Sequence, residues 1–349
     1  TLLAMGIDVV DLGLSTTPTV EIAVPLENAS AGIIFTASHN PKQWNALKFI
    51  NDKGEFISAK DGQEIMDYIA DGALEFVEVD HLGSKTENDS YIDIHIKQIL
   101  ALNYIDVENI KKHNFKVVVD CINSTGAISV PPLLEALNCD IILINEEMTG
   151  DFAHNPEPRP EHLIDLSNKV KEANADLGIS VDPDVDRLAF VSEDGSMFGE
   201  EFTLVAVADS ILSRKKGNTV SNLSSTRALA DVTRKHGGSY KASAVGEVNV
   251  VNAMKETNAV IGGEGNGGVI LPDLHYGRDA LAGIALMLNL LASRDIKMSE
   301  LKVSYPDYVI VKDKIDLTPD TDVDKVLALV AESLKGETLN TIDGVKVDY

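Results

Sequence analysis

Short runs of valine, isoleucine and leucine alternate with amphipathic helical stretches along the whole chain, and this alternation restricts the fold more than any other feature. Strand-length runs separated by helices direct a chain into α/β units with parallel or mixed sheets. Residues 7–12 and 32–36 read as strands around a helix over 18–26, and another helix runs from Asp61 toward Ala70 with Ile65, Met66 and Ile69 as its apolar residues. A second unit reads as strand 115–120, helix 127–137 and strand 140–144. A third reads as strand 219–223, helix 226–236, and strands 240–244 and 259–262. The polar stretch 81–89 marks the first boundary, and a helical run over 322–334 opens a further unit. The expected fold is α/β, with tandem domains carrying mixed sheets. The expected limits are 1–88, 89–199, 200–311 and 312–349.

A length of 349 residues agrees with several cores rather than one. The longest apolar stretch, Ala280 to Ala292, is broken by Asn289 and falls short of the roughly 20 residues that cross a bilayer, so it reads as a buried helix. No basic segment followed by an apolar run and a small-residue cleavage site opens the sequence, which makes the cytoplasm the expected location. With 30 basic against 55 acidic side chains, the net charge of -25 opposes binding to nucleic acid or anionic membrane. Charges more than about 8 Å away are screened at physiological salt, so local lysines and arginines can still hold a phosphate. Cys121 and Cys139 show no metal or redox spacing and are expected to be buried, reduced thiols.

Three loops have residue types suited to chemistry. Thr36-Ala37-Ser38-His39-Asn40-Pro41 ends a strand, and a helix is disfavoured before Pro41, so Ser38 is expected on a sharp, exposed turn with Lys48 in reach on a returning strand. A serine hydrolase is a poor fit, because the G-x-S-x-G elbow is absent. Asp182-Pro183-Asp184-Val185-Asp186-Arg187 lies between two strands. If extended, it puts three carboxylates on one side, where their repulsion calls for a hard divalent cation such as Mg2+. Arg187 adds a fork suited to phosphate. An EF-hand loop begins with the same spacing, but it needs glycine where Arg187 stands and helices where these flanks are strand-like. Gly262 to Gly268 places Glu264 and Asn266 among glycines, a set suited to sugar hydroxyls, although taken alone it is a weak signal and fits a flexible hairpin turn better.

Together and in this order, the three loops resemble those of the α-D-phosphohexomutase superfamily, the phosphoglucomutases, phosphomannomutases and phosphoglucosamine mutases. The runs Val118 to Asn123, Asn155 to Glu161 and Val245-Gly246-Glu247 also resemble family segments. The resemblance implies that Ser38 carries the phosphoryl group, that His39 helps hold it, and that Ser38, Asp182, Asp184 and Asp186 bind Mg2+. It further implies Lys48 as general base, Arg187 beside the metal loop, and Glu264, Asn266 and Arg278 as substrate-binding residues. The implied reaction is an isomerisation of a hexose or hexosamine phosphate through a sugar 1,6-bisphosphate, with glucosamine phosphate favoured over glucose and mannose phosphates by the Glu-Gly-Asn-Gly-Gly form of the sugar loop. A phosphatase and a non-catalytic sugar-phosphate-binding relative are the alternatives. Gly268 departs from the family pattern, in which several members have a histidine there. The resemblance also implies an active site in a cleft between domains, a stretch ahead of Thr1 and a fourth domain with a phosphate clamp, so a chain starting inside its first domain and stopping early in its fourth is expected. The sugar used and the oligomeric state stay open.

Overall fold

The computed structural model describes residues 1–40, 43–72, 75–308, 316–318 and 320–348; Pro41 and the boundary expected at 311/312 lie outside them. The first unit holds β1 (Val9–Asp11), α1 (Thr17–Leu26), β2 (Ala31–Phe35), β3 (Leu47–Asn51), α2 (Ala59–Asp71) and β4 (Lys85–Glu87). Thr16 caps α1 by accepting from Thr19 N, and Pro18 pre-sets its first turn. The helix expected from Asp61 begins at Ala59, because Ser58 and Asp61 form a reciprocal capping box. β2 and β3 pair antiparallel with Phe35 opposite Leu47, so the segment between them, which holds Ser38, is a hairpin connection.

The second unit comprises α3 (Tyr91–Leu100), α4 (Val107–His113), β5 (Lys116–Asp120), α5 (Gly126–Ala136), β6 (Asp140–Ile144), α6 (Ile164–Ala173), β7 (Leu177–Val181) and β8 (Leu188–Ser192). The third comprises α7 (Glu200–Arg214), β9 (Asn218–Asn222), α8 (Ala228–Lys235), β10 (Tyr240–Ser243), α9 (Glu247–Thr257), β11 (Ala259–Glu264), β12 (Gly268–Ile270), α10 (Ala280–Arg294) and α11 (Met298–Val303). Then come α12 (Val323–Ser333), β13 (Thr338–Asn340) and β14 (Lys346–Asp348). The second and third units repeat one topology. Their sheets run β6-β5-β7-β8 and β10-β9-β11-β12, parallel except for the last pair, which is antiparallel. The aspartate loop and the glycine loop are therefore the same hairpin turn in two copies of one plan.

A continuous apolar core joins these two units, running from Ile96 through β5, β7 and β8 to α7, α10 and Tyr305. α10 is buried on every side. Its Asn289 accepts from Asp106 N at 2.8 Å and so holds the start of α4. Two expectations need correction. The polar stretch 81–89 contains a strand, β4, paired in parallel with β1, the strand expected over 7–12; the Lys-Thr-Glu residues of β4 are all exposed, so no apolar alternation marked it. Cys121 is buried as expected, but Cys139 is only half-buried; burial pushes both free thiols up to about 12. No helix among the described residues is long and apolar enough to cross a membrane.

Candidate active site

Three hairpin turns, one from each unit, bring their polar side chains together. Ser38 stands in the left-handed region at φ 49°, a conformation retained only where the surroundings enforce it. Its amide donates to Thr36 Oγ1 at 2.9 Å, and its hydroxyl donates to Asp182 Oδ2 at 2.8 Å and lies 3.1 Å from His39 Nδ1. Contrary to expectation, Ser38 is half-buried rather than exposed, because the aspartate turn of the second unit covers it.

That turn is not extended. Val185 has φ 61°, an outlier for a β-branched residue, and its buried side chain belongs to the main core. Asp182 Oδ1 accepts from the amides of Asp186 and Arg187, both at 3.0 Å, which curls the loop. The three carboxylates converge through this curl and not through strand alternation, and one oxygen of each lies within 4.8 Å of the others. From the first unit, Thr17 Oγ1 and Lys48 Nζ each reach Asp184 Oδ2 at 2.5 Å, and Lys48 also reaches Asp186 Oδ2 at 3.1 Å.

Asp184 Oδ1 and Asp186 Oδ1 are buried and accept no hydrogen bond among the described residues. Burial and the neighbouring Asp186 and Asp184 push Asp182 well above the ordinary carboxylate range. Burial would raise Asp186 too, but the Arg278, Lys48 and Arg187 cations outweigh it and hold it below that range. Burial would lower Lys48, but Asp186 and Asp184 hold it firmly protonated. Crowded hard oxygen donors with orphaned lone pairs fit a divalent cation of the magnesium type.

Arg187 faces Glu157 at 3.6 Å, and its buried Nε makes no hydrogen bond among the described residues. His39 is held below its ordinary value by burial, with the Arg187 charge adding to it. In the glycine loop, buried Glu264 accepts from Asn222 Nδ2 at 2.8 Å, Gly246 N at 3.1 Å, Arg278 Nη1 at 2.8 Å and Asn266 Nδ2 at 3.3 Å. Arg278 Nη2 reaches Asp186 Oδ2 at 2.8 Å, so the sugar-loop candidates join the same cluster as Ser38, Lys48 and the aspartates. Sequence reasoning missed Thr17, which lies 167 positions from its partner Asp184 with only a helix start to mark it. Glu157 and Glu247 lay inside noted runs without a role. Burial, with Glu21 nearby, pushes Glu247 up to about 8.

Comparison with known proteins agrees with this geometry. The phosphoglucomutase/phosphomannomutase α/β/α family models match in order, domain I over residues 1–75, domain II over 89–195 and domain III over 200–308. The chain is 35% identical to a probable phosphoglucosamine mutase of Methanopyrus kandleri, over 99% of this chain and 76% of that protein. It is 34% identical to a phosphoglucomutase/phosphomannomutase of Thermococcus kodakarensis, over 100% of this chain and 76% of the relative. The crystal structure of a phosphoglucomutase/phosphomannomutase family protein from Burkholderia thailandensis superimposes with a TM-score of 0.84 at 30% identity, covering 100% of this chain and 75% of that one. Such matches define an isomerase-class phosphotransferase acting on hexose phosphates. Within that class, the chain belongs to the α-D-phosphohexomutase superfamily.

Proposed function

We propose that the chain moves a phosphoryl group between the 1 and 6 positions of a hexosamine phosphate, with Ser38 as carrier. The carrying observation is the 2.8 Å hydrogen bond from Ser38 Oγ to Asp182, inside a carboxylate cluster with unused oxygens. Asp182, Asp184 and Asp186, with the oxygen of Ser38, would hold Mg2+. When bound, that ion supplies charge neutralisation for the phosphoryl oxygens.

The protein's own groups do the rest by positioning and electrostatics. Phosphorylated Ser38 gives its group to the free hydroxyl of the hexose monophosphate: the Oγ–P bond breaks, a sugar O–P bond forms, and the hydroxyl proton passes to a nearby base. The 1,6-bisphosphate reorients in the site, and the reverse transfer from its other end restores phosphoserine. His39 orients the serine oxygen; Lys48, which the resemblance implies as general base, is held protonated by Asp186 and Asp184 against burial and in this form supplies positive charge with Arg187 beside the transferring group; Glu264 and Asn266 bind sugar hydroxyls. Domain limits of 1–88, 89–199 and 200–311, with a fourth domain from 312, accompany this reading.

Glucosamine phosphate is the substrate we favour, supported by the Glu-Gly-Asn-Gly-Gly loop and by the likeness to the probable phosphoglucosamine mutase of Methanopyrus kandleri. The test is a panel of glucosamine, glucose and mannose 6-phosphates with a sugar bisphosphate activator, together with peptide mass spectrometry. Phosphate on Ser38 and its loss with turnover in Ser38→Ala are expected. Full activity in that variant, or a stable phosphoryl adduct on another residue, refutes the carrier assignment.

A further inference from the structure

Arg278 is anchored through its main chain. Its backbone bridges antiparallel to Ile270, the next amide donates to Val269 O at 2.8 Å, and Asp279 caps α10 by accepting from Ala282 N at 3.0 Å. From this clamped position the partly buried side chain makes charge-assisted bonds of 2.8 Å from Nη2 to Asp186 Oδ2, from Nε to Glu247 Oε2 and from Nη1 to Glu264 Oε2. Asp186 stands in the β7–β8 turn, and Glu264 ends β11 at the β11–β12 turn. One planar group thus bridges equivalent turns of the second and third units.

Glu264 has no spare acceptor site. A carboxylate offers about four lone-pair directions, and Asn222, Gly246, Arg278 and Asn266 occupy them. A sugar hydroxyl therefore enters by displacing the longest of these bonds, from Asn266 at 3.3 Å, while Arg278 keeps its hold. Gly268 is what makes room for the arginine. A Cβ at 268 would lie 2.3 Å from Arg278 Cδ, so a side chain at 268 and this position of Arg278 exclude one another.

We propose that Arg278 is a positioning residue that couples the metal loop to the sugar loop, one rigid fork setting Asp186 for the cation and Glu264 for the sugar. The proposal rests on the metal and sugar roles proposed above for those loops. A sugar that moves Glu264 shifts the fork and with it Asp186, and the linkage is reciprocal. Lysine carries the charge but lacks the planar fork, so it cannot hold the carboxylates together.

The test measures Mn2+ affinity of the full chain by electron paramagnetic resonance, with and without saturating glucosamine 6-phosphate. Wild type should bind Mn2+ at least about fivefold tighter with the sugar phosphate present. Arg278→Lys should bring that ratio below about twofold. Gly268→Ala, which keeps every charge but displaces the arginine stem, should do the same and decides the matter if Arg278→Lys does not fold. A wild-type ratio retained in Gly268→Ala, or in folded Arg278→Lys, overturns the proposal, as does a wild-type ratio near one. Failure of wild type to bind Mn2+ at all overturns the metal-site reading as well, which separates the two failures.

Discussion

Asp184 faces Thr17 and Lys48 with one oxygen and leaves the other buried without a hydrogen bond, a state that is costly unless something occupies the empty side. Asp184→Asn keeps the shape of the side chain and removes its charge. Mn2+ affinity should fall at least about tenfold while far-UV circular dichroism stays unchanged. Wild-type affinity in the variant would place the cation elsewhere. At this scale the sequence was legible where the chemistry was local: the aspartates fall within 182–186, the glycines within 262–268, and Ser38 stands beside His39 at a strand end. Thr17, Asn222 and Glu157 were not legible, because their partners are distant in sequence and their residue types are common.

Single elements are tied together by a carboxylate that no motif marks. Asp209 on α7 is buried and accepts from His236 at the end of α8, Arg294 at the end of α10, and Tyr305 after α11. Burial would raise its carboxyl, but the hydrogen bonds from His236 and Arg294 outweigh burial and hold it below the ordinary value. A carboxyl with a lower pKa in the folded state adds stability that is present above the unfolded value of about 3.9 and lost as pH falls through the folded value. Asp209→Asn should therefore lower stability at pH 7 by roughly 3 kcal/mol, and the difference in urea midpoint should shrink below about pH 4. A difference constant down to acid pH would mean the loss is one of packing. Packing is probed separately at Leu286, fully buried in α10, where Leu286→Ala should cost about 2–5 kcal/mol by urea unfolding. α10 was legible as a buried helix because a long apolar run below bilayer length has few other fates. α6 was not assigned from the sequence, and neither was β4, whose Lys-Thr-Glu composition carries no burial pattern.

On the scale of the whole molecule, the first unit is attached differently from the other two. None of its described apolar residues belongs to the core that unites the second and third units, nor to the smaller clusters beside it. Polar contacts instead bridge it to them: Ser38, Thr17 and Lys48 to the aspartate turn, Thr19 to His95, Glu21 to His275, and Glu55 to Lys255. The Glu55–Lys255 pair involves no aspartate of the turn, and has both carboxylate oxygens 2.6 Å from Nζ and the ammonium 4.8 Å from the Tyr276 ring centroid. An ion pair that exposed adds little to global stability, on the order of 0.5 kcal/mol, but it can govern a local opening whose free energy is itself small. Lys255→Glu sets two carboxylates against each other at that seam. Global unfolding should be nearly unchanged, while amide exchange across β2 and β3 accelerates and turnover falls, because the seam positions the Ser38 hairpin over the aspartates. High salt should shift wild type in the same direction by screening the pair. Unchanged exchange in β2 and β3 of Lys255→Glu would show that the other polar contacts hold the first unit without this pair.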